Sequence, residues 1–169
     1  MTPLCFIDTE TTGLDPRIHQ PYEVSWWVEG MAVPHAEWLR HDLTNADPQA
    51  LKISRYWERE GHDYGKRYMD PKGLAVVLQG VTLVGSNPAF DAAMLTRYIG
   101  TAVWHHRLIN VAEGAMWVFG WDRPKGLADV AAECRTRGYE IPEPDHTAKG
   151  DVRTTRAVYE ALRSIRQDA

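Results

Sequence analysis

The opening part of the chain has the two-residue period of β-strands. Residues 4–9 are mostly apolar and end at a Thr-Thr-Gly turn sequence at residues 11–13. Residues 22–29 alternate, and a Glu-Gly turn then leads to a return strand over residues 32–41. One face of the second strand carries Tyr22, Val24, Trp26 and Val28. The pattern therefore predicts three antiparallel strands.

A strand followed by a helix is predicted in the middle of the chain. Residues 81–85 form a short apolar run, after which Asn87 and Pro88 suit the N-cap and the first position of a helix. The apolar stripe of this helix consists of Phe90, Met94, Leu95, Tyr98 and Ile99. Such a unit places the first turn of its helix at the carboxyl edge of a sheet.

The remaining segments are mostly helical in pattern. Asp47-Pro48 indicates the start of a short helix that covers Ala50, Leu51 and Ile53. Residues 56–70 lack a clear period and are interpreted as a mobile or substrate-facing connection. An inward-packing helix with Leu74, Val76, Val77 and Leu78, a strand within residues 103–111 and helices over residues 112–119, 127–135 and 148–165 complete the prediction. These elements indicate an α/β fold in which parallel βα units follow the antiparallel strands.

Composition narrows the class of protein. A chain of 169 residues is expected to form one domain, residues 1–169. Its net charge of −4 argues against a protein that binds nucleic acid by bulk electrostatics. Cys5 and Cys134 give no disulfide framework, and the sequence has neither a membrane-spanning run nor a signal pattern. We expect a cytoplasmic protein without a membrane partner.

Two acids, Asp8 and Glu10, project from the same side of the end of the first strand, because alternate residues of a strand share a face. Like charges at that separation raise each other's energy unless a cation lies between them. A divalent cation with oxygen ligands meets this need. A solvated strand end would also explain Asp-x-Glu by itself, so the interpretation depends on further acids.

Three more residues are candidates for the same site. Asp91 lies in the first turn of its predicted helix, where a carboxylate also complements the helix dipole. On the last helix, the apolar stripe through Leu162 and Val158 leads back to Asp151. A carboxylate turned toward the core is costly unless it is paired or bound to a metal. His146 precedes this helix, and an imidazole titrates near neutral pH, as a general base requires.

Together these residues resemble the DEDDh family of 3′-to-5′ exonucleases, which includes the proofreading epsilon subunit of bacterial replicases, ribonuclease T and oligoribonuclease. The first motif is similar to residues 6–14, the second to residues 84–91 and the third to residues 146–151. His146 stands where this subtype has its histidine, whereas the sister subtype has a tyrosine at the position of Thr147. All three motifs occur in order across nearly the whole chain.

The chain departs from the family pattern at two positions. Ser86 replaces the histidine that usually precedes the asparagine of the second motif, and Asn110 stands where family members often have an aspartate. Neither position is a metal ligand in the family pattern. The departures therefore concern substrate binding.

The resemblance implies a ribonuclease H-like fold, with a mixed five-stranded sheet and helices on both faces. It implies two Mg²⁺ or Mn²⁺ ions held by Asp8, Glu10, Asp91 and Asp151. His146 would act as general base in releasing nucleoside 5′-monophosphates from the 3′ end of nucleic acid, with single-stranded DNA as the preferred expectation. The residues implied in substrate binding are Thr11, Thr12, Gly13, Leu14, Asn87 and Phe90. A DNA polymerase subunit stays open as a partner.

Other functions remain open at this point. An exoribonuclease would use the same acids, because only recognition of the 2′-hydroxyl separates RNA from DNA. A haloacid-dehalogenase-like phosphatase also begins with an aspartate at a strand end, but needs a second aspartate where this chain has Glu10. A catalytically silent nucleic-acid-binding module is a third alternative, although such a module has no need of mutually repulsive carboxylates.

Overall fold

A computed structural model of the chain describes residues 2–60 and 68–167. The strands are β1 (Leu4–Thr11), β2 (Pro21–Val28), β3 (His35–Leu39), β4 (Tyr68–Met69), β5 (Thr82–Gly85) and β6 (Ile109–Asn110). The helices are α1 (Pro48–Ile53), α2 (Tyr56–Glu60), α3 (Pro71–Leu78), α4 (Pro88–Ile99), α5 (Val111–Phe119), α6 (Leu127–Thr136) and α7 (Ala148–Gln167).

The strands form a mixed sheet in the order β4-β3-β2-β1-β5-β6. β1, β2 and β3 pair antiparallel, whereas β5 and β6 join β1 in parallel. The predicted antiparallel opening and parallel βα units are therefore confirmed. Beyond the five strands expected, the short strand β4 extends the edge, where Trp38 pairs with Tyr68. β4 lies in the segment interpreted as a connection, and residues 61–67 of that segment lie outside the described residues.

Helices cover both faces of the sheet, and alternation along β1 assigns each face its own core. Phe6 packs with α5, α6 and α7, whose buried residues include Val130 and Val158. Ile7 packs on the opposite face with residues of α3 and α4, such as Leu74 and Leu95. Within the described part of the chain, no helix is both long and apolar enough to cross a membrane.

Some element limits and faces differ from the prediction. The strand expected within residues 103–111 is reduced to two residues, Ile109 and Asn110. The segment before it is joined to residues 80–81 by two backbone hydrogen bonds of 2.8 Å, from Gly80 N to Val103 O and from His105 N to Val81 O. α3 buries Leu74 and Leu78 as expected, but Val76 is 77% exposed, so its assignment to the inner face was wrong. Ile53 of α1 is also exposed, because this six-residue helix is too short to bury more than Leu51.

The helix starts follow the local sequence. Asp47 caps α1 by accepting a hydrogen bond from Gln49 N at 2.8 Å, and Pro48 occupies the first turn. Pro88 likewise begins α4, but the side chain of Asn87 makes no capping hydrogen bond to the described first turn of that helix. Asn87 is therefore the N-cap residue of α4, as predicted, although its side chain does not supply the capping bond. Its side chain is exposed.

Candidate active site

Three acids from distant parts of the sequence meet at the carboxyl end of β1. Asp8 and Glu10 lie on the strand face that α7 covers, and Asp151 lies in the first turn of α7. Each offers one carboxylate oxygen, and these oxygens all lie within 4.8 Å of one another. Three carboxylate oxygens at this spacing match the ligands that hard divalent cations prefer.

A hydrogen-bonded turn holds Asp151 in place. The backbone N–H of Asp145 donates to Asp151 Oδ1 at 3.0 Å. Asp145 Oδ1 in turn accepts from the Thr147 N–H at 3.0 Å and from the Thr147 hydroxyl at 2.7 Å. Thr147 Oγ1 also caps α7 by accepting from Gly150 N at 2.9 Å. Thr147, at the position that separates the two subtypes, therefore organises the turn.

His146 occupies the middle of this turn and is exposed. Its backbone is left-handed, with φ of 56°, a conformation that costs a non-glycine residue about 1–3 kcal/mol. Such cost persists where surrounding hydrogen bonds enforce it, as those of Asp145 and Thr147 do. Burial raises the pKa of Asp151, and the charge of His146 opposes part of this rise, so the imidazole lies within electrostatic reach of Asp151.

Asp91 reaches the site from α4 on the other face of the sheet. Its side chain is 5% exposed, and Oδ1 accepts a hydrogen bond from Thr9 Oγ1 at 2.7 Å. Asp91 is not one of the three acids that already share an ion-sized space, but its charge raises the pKa of Asp8. Asp91 is therefore placed beside the group rather than inside it.

Burial raises the pKa of Asp8, Glu10, Asp91 and Asp151, and the charges of neighbouring acids add to the rise at Asp8 and Glu10. Burial is the largest cause for Asp8, followed by the charges of Asp91, Glu10 and Asp151. Burial and the charge of Glu23 raise the pKa of Glu10 to about 8, and burial raises that of Asp91 to about 6. Without a cation, burial and neighbouring charge therefore favour the protonated forms of Asp8 and Glu10, so the site favours a positive charge among its carboxylates.

Sequence reasoning missed one acid of the site, Glu23. It lies on β2 directly opposite Glu10 and is only 6% exposed. Its carboxylate forms a salt bridge with Arg59 of α2. The available signal was a polar residue on the less apolar face of β2. Only the strand register shows that this face lies beside Asp8 and Glu10.

The last residue of β1 and the loop after it contain four of the residues implied in substrate binding. Thr11, Thr12 and Gly13 are buried, whereas Leu14 is 77% exposed. The Thr12 N–H donates to Gln20 O at 2.9 Å, which closes the loop. Any Cβ at Gly13 would lie 2.5 Å from the His19 ring, so this close approach requires glycine.

The two other implied substrate-binding residues flank the start of α4. Asn87 is exposed, and Phe90 is half-buried in the same helical turn as Asp91. Both therefore lie at the end of the sheet that carries the acids. The structure therefore brings the implied catalytic and binding residues to one edge of the sheet.

Known structures share this fold. Exonuclease X in complex with 5′ overhanging duplex DNA matches with a TM-score of 0.65 and 22% identity, over 95% of this chain and 91% of that one. Brucella melitensis NrnC matches with a TM-score of 0.62 and 14% identity, over 99% of this chain and 75% of that one. E. coli Exonuclease I in complex with a dA16 oligonucleotide matches with a TM-score of 0.67 and 16% identity, over 99% of this chain but only 42% of that one.

Because the sequence identities are low, these likenesses establish the fold alone. The expected ribonuclease H-like fold is confirmed. By sequence, no family model matches the chain and no curated protein matches it.

Proposed function

We propose that this protein is a metal-dependent 3′-5′ exonuclease that releases nucleoside 5′-monophosphates from the 3′ end of single-stranded DNA. The observation that carries the proposal is the convergence of Asp8, Glu10 and Asp151 within 4.8 Å. Such a group costs stability and is therefore expected to serve function. Support for a nuclease also comes from the shared fold with Exonuclease X and Exonuclease I.

The donor set fits divalent cations. Asp8, Glu10 and Asp151 would hold one ion, and Asp91, beside them, would contribute to a second. Mg²⁺ or Mn²⁺ suits carboxylate oxygens, whereas the two cysteines are buried elsewhere. When bound, such ions stabilise the negative charge that develops on the phosphodiester during displacement.

His146 supplies the general base. It is exposed at the rim of the acids, where water reaches the imidazole, and its backbone is fixed by the turn around Asp145. His146 takes the proton of the attacking water, whose oxygen forms the new bond to phosphorus. The bond from phosphorus to the 3′ oxygen of the preceding nucleotide then breaks, and that oxygen leaves as a hydroxyl after protonation by solvent.

The loop after β1 would hold the terminal nucleotide. Buried Thr11 to Gly13 give it a rigid backbone, and exposed Leu14 offers an apolar contact for the base. Asn87 and Phe90 would line or support the opposite side. Single-stranded DNA is proposed as substrate because structures with this fold, Exonuclease I in particular, bind a DNA oligonucleotide.

Digestion of an oligonucleotide labelled at its 5′ end tests the proposal. Wild-type protein with Mg²⁺ should produce a ladder that shortens from the 3′ end, and EDTA should stop it. Asp8→Asn and Asp151→Asn should lower kcat by at least about 10³-fold, since each removes an ion ligand. Asp129→Asn is the matched control, because Asp129 is an exposed acid in the first turn of α6.

The outcomes separate the alternatives. Undiminished cleavage in excess EDTA, or by Asp8→Asn, rejects the metal mechanism. Binding without cleavage at any metal concentration assigns a silent nucleic-acid-binding module. Matched single-stranded DNA, duplex DNA and RNA should be digested side by side, and faster cleavage of RNA would assign an exoribonuclease instead.

A further inference from the structure

Glu23 is a buried carboxylate that the proposed reaction does not use. It lies on β2 opposite Glu10 and is 6% exposed, on the face of the sheet that α7 covers. A buried carboxylate is unfavourable unless its oxygens are paired. Its partners therefore indicate why this position carries an acid.

One oxygen of Glu23 joins two helices. Ala148 N, at the first residue of α7, donates to Glu23 Oε2 at 3.3 Å. The same oxygen forms the salt bridge with Arg59 of α2. The first N–H groups of a helix have no partner within the helix, so a carboxylate there satisfies a donor and complements the helix dipole.

Arg59 is itself held firmly. Its Nη1 donates to Ser54 O at 3.3 Å, and its guanidinium carbon lies 5.5 Å from the centre of the Trp38 ring. Its side chain is only 18% exposed. Glu23 on β2 therefore links Arg59 of α2 to the first residue of α7.

We propose that Glu23 is a positioning residue, which together with Arg59 holds the first turn of α7 against β1 and β2. Ala148 lies between His146 and Asp151, so a shift of this turn moves both relative to Asp8. A displacement near 1 Å at a reacting centre can cost about 10²-fold in rate. The inference rests on the proposed function, because the placement matters through the exonuclease site.

Two substitutions separate the contacts of Glu23. Glu23→Ala removes both the charge and the acceptor, whereas Glu23→Gln keeps an oxygen for Ala148 N–H and loses the ion pair. Glu29→Ala is the matched control, because Glu29 also accepts a backbone N–H, that of Leu4 at 3.0 Å, at the opposite end of the β1–β2 pair.

Steady-state digestion should be measured with saturating Mg²⁺, at a temperature well below each variant's unfolding midpoint. We expect Glu23→Ala to lower kcat by about 30- to 100-fold while KM changes by less than about threefold. Glu23→Gln keeps the acceptor for Ala148 N–H but loses the ion pair, so it should recover only part of this loss, and Glu29→Ala should match wild type. Wild-type kcat in Glu23→Ala with a lowered unfolding temperature would reduce Glu23 to a stabilising residue and overturn the inference.

Metal titration and hydrogen exchange complete the test. If Glu23→Ala reaches full kcat only at Mg²⁺ concentrations above those that saturate wild type, Glu23 is a metal ligand, which also overturns the positioning role. Amide exchange at Ala148 should be at least about tenfold faster in Glu23→Ala than in Glu29→Ala, and equal rates contradict the inference. Amide exchange needs no substrate, so it tests whether Glu23 holds the first turn of α7 even if the protein has no nuclease activity. An inactive wild-type protein would reject the exonuclease proposal alone.

Discussion

At the residue scale, the site gathers buried acids whose pKa values are raised. Glu10 has a pKa of about 8, and Asp91 one of about 6, both raised chiefly by burial. Arg59 lowers the pKa of Glu10, but it is already engaged with Glu23. The metal-free site therefore retains protons that an open carboxylate would release.

The stability of the metal-free protein should depend on pH. The pKa of Glu10 rises from 4.5 to about 8 on folding, so the folded state binds a proton that the unfolded chain releases. The free energy of unfolding should therefore fall as pH rises from about 5 to about 8. Thermal unfolding in EDTA measures this, and Glu10→Gln should flatten the slope.

Magnesium should oppose this fall, since it binds the ionised carboxylates. Added Mg²⁺ should raise the unfolding temperature more at pH about 8 than at pH about 5. An equal rise at both values would show that the ion binds elsewhere.

The hydrogen bond from Thr9 to Asp91 should contribute to the rate of the reaction. Thr9→Val removes the 2.7 Å hydrogen bond to Asp91 Oδ1, and a hydrogen bond to a charged group contributes about 1.5–3 kcal/mol. We expect kcat for the oligonucleotide to fall about tenfold, with little change in KM. Thr136→Val is the control, because its hydroxyl bonds Glu133 O on the exposed side of α6. Equal kcat in the two variants would show that the hydrogen bond from Thr9 to Asp91 does not contribute to the reaction.

At the scale of elements, the turn before α7 is the part most closely fitted to the site. Asp145 occupies the space that a side chain at Gly150 would need, since an added Cβ would lie 2.0 Å from Asp145 Oδ1. That packing lets the Asp145 backbone hold Asp151 and shapes the left-handed turn at His146. The helix thus carries a glycine where alanine would otherwise be preferred.

Substitution by alanine should have opposite effects on stability at two helical glycines, Gly114 and Gly150. Gly114→Ala in α5 adds a methyl group 3.9 Å from Leu162 Cδ1 and should stabilise the protein by about 0.5–1 kcal/mol. Gly150→Ala should destabilise it and lower kcat, because Asp145 must leave its place. Denaturant unfolding and digestion rates measure both effects. A stabilised, fully active Gly150→Ala variant would show that the turn tolerates the displacement.

At the scale of the whole molecule, the sheet brings three motifs to one edge while the chain as a whole is acidic. A net charge of −4 gives nucleic acid no general attraction. Binding should therefore depend on cations held by the acids, which reverse the local charge.

DNA affinity should accordingly require a divalent ion. His146→Ala retains the acids and should preserve the substrate, so its binding to a fluorescent single-stranded oligonucleotide can be followed by anisotropy. We expect the Kd to be at least about tenfold lower in Mg²⁺ than in EDTA. Asp129→Asn in the His146→Ala background is the control. Tight binding in EDTA with a steep salt dependence would assign the affinity to basic side chains instead.

The sequence by itself determined the antiparallel opening, the βα unit and the inward phase of Asp151 on the last helix. These features follow from the periods of side chains along strands and helices, which are local. The sequence also predicted that Asp8 and Glu10 lie on the same face of β1, because this follows from the alternation of side chains along one strand.

Only the tertiary structure decided how these pieces meet. The register that sets Glu23 opposite Glu10, the bond from Thr9 to Asp91 and the turn in which Asp145 holds Asp151 all depend on contacts whose geometry no local period records. A period states which way a side chain faces. Where that side chain meets another is settled by packing between elements distant along the chain, and in this protein that packing forms the candidate site.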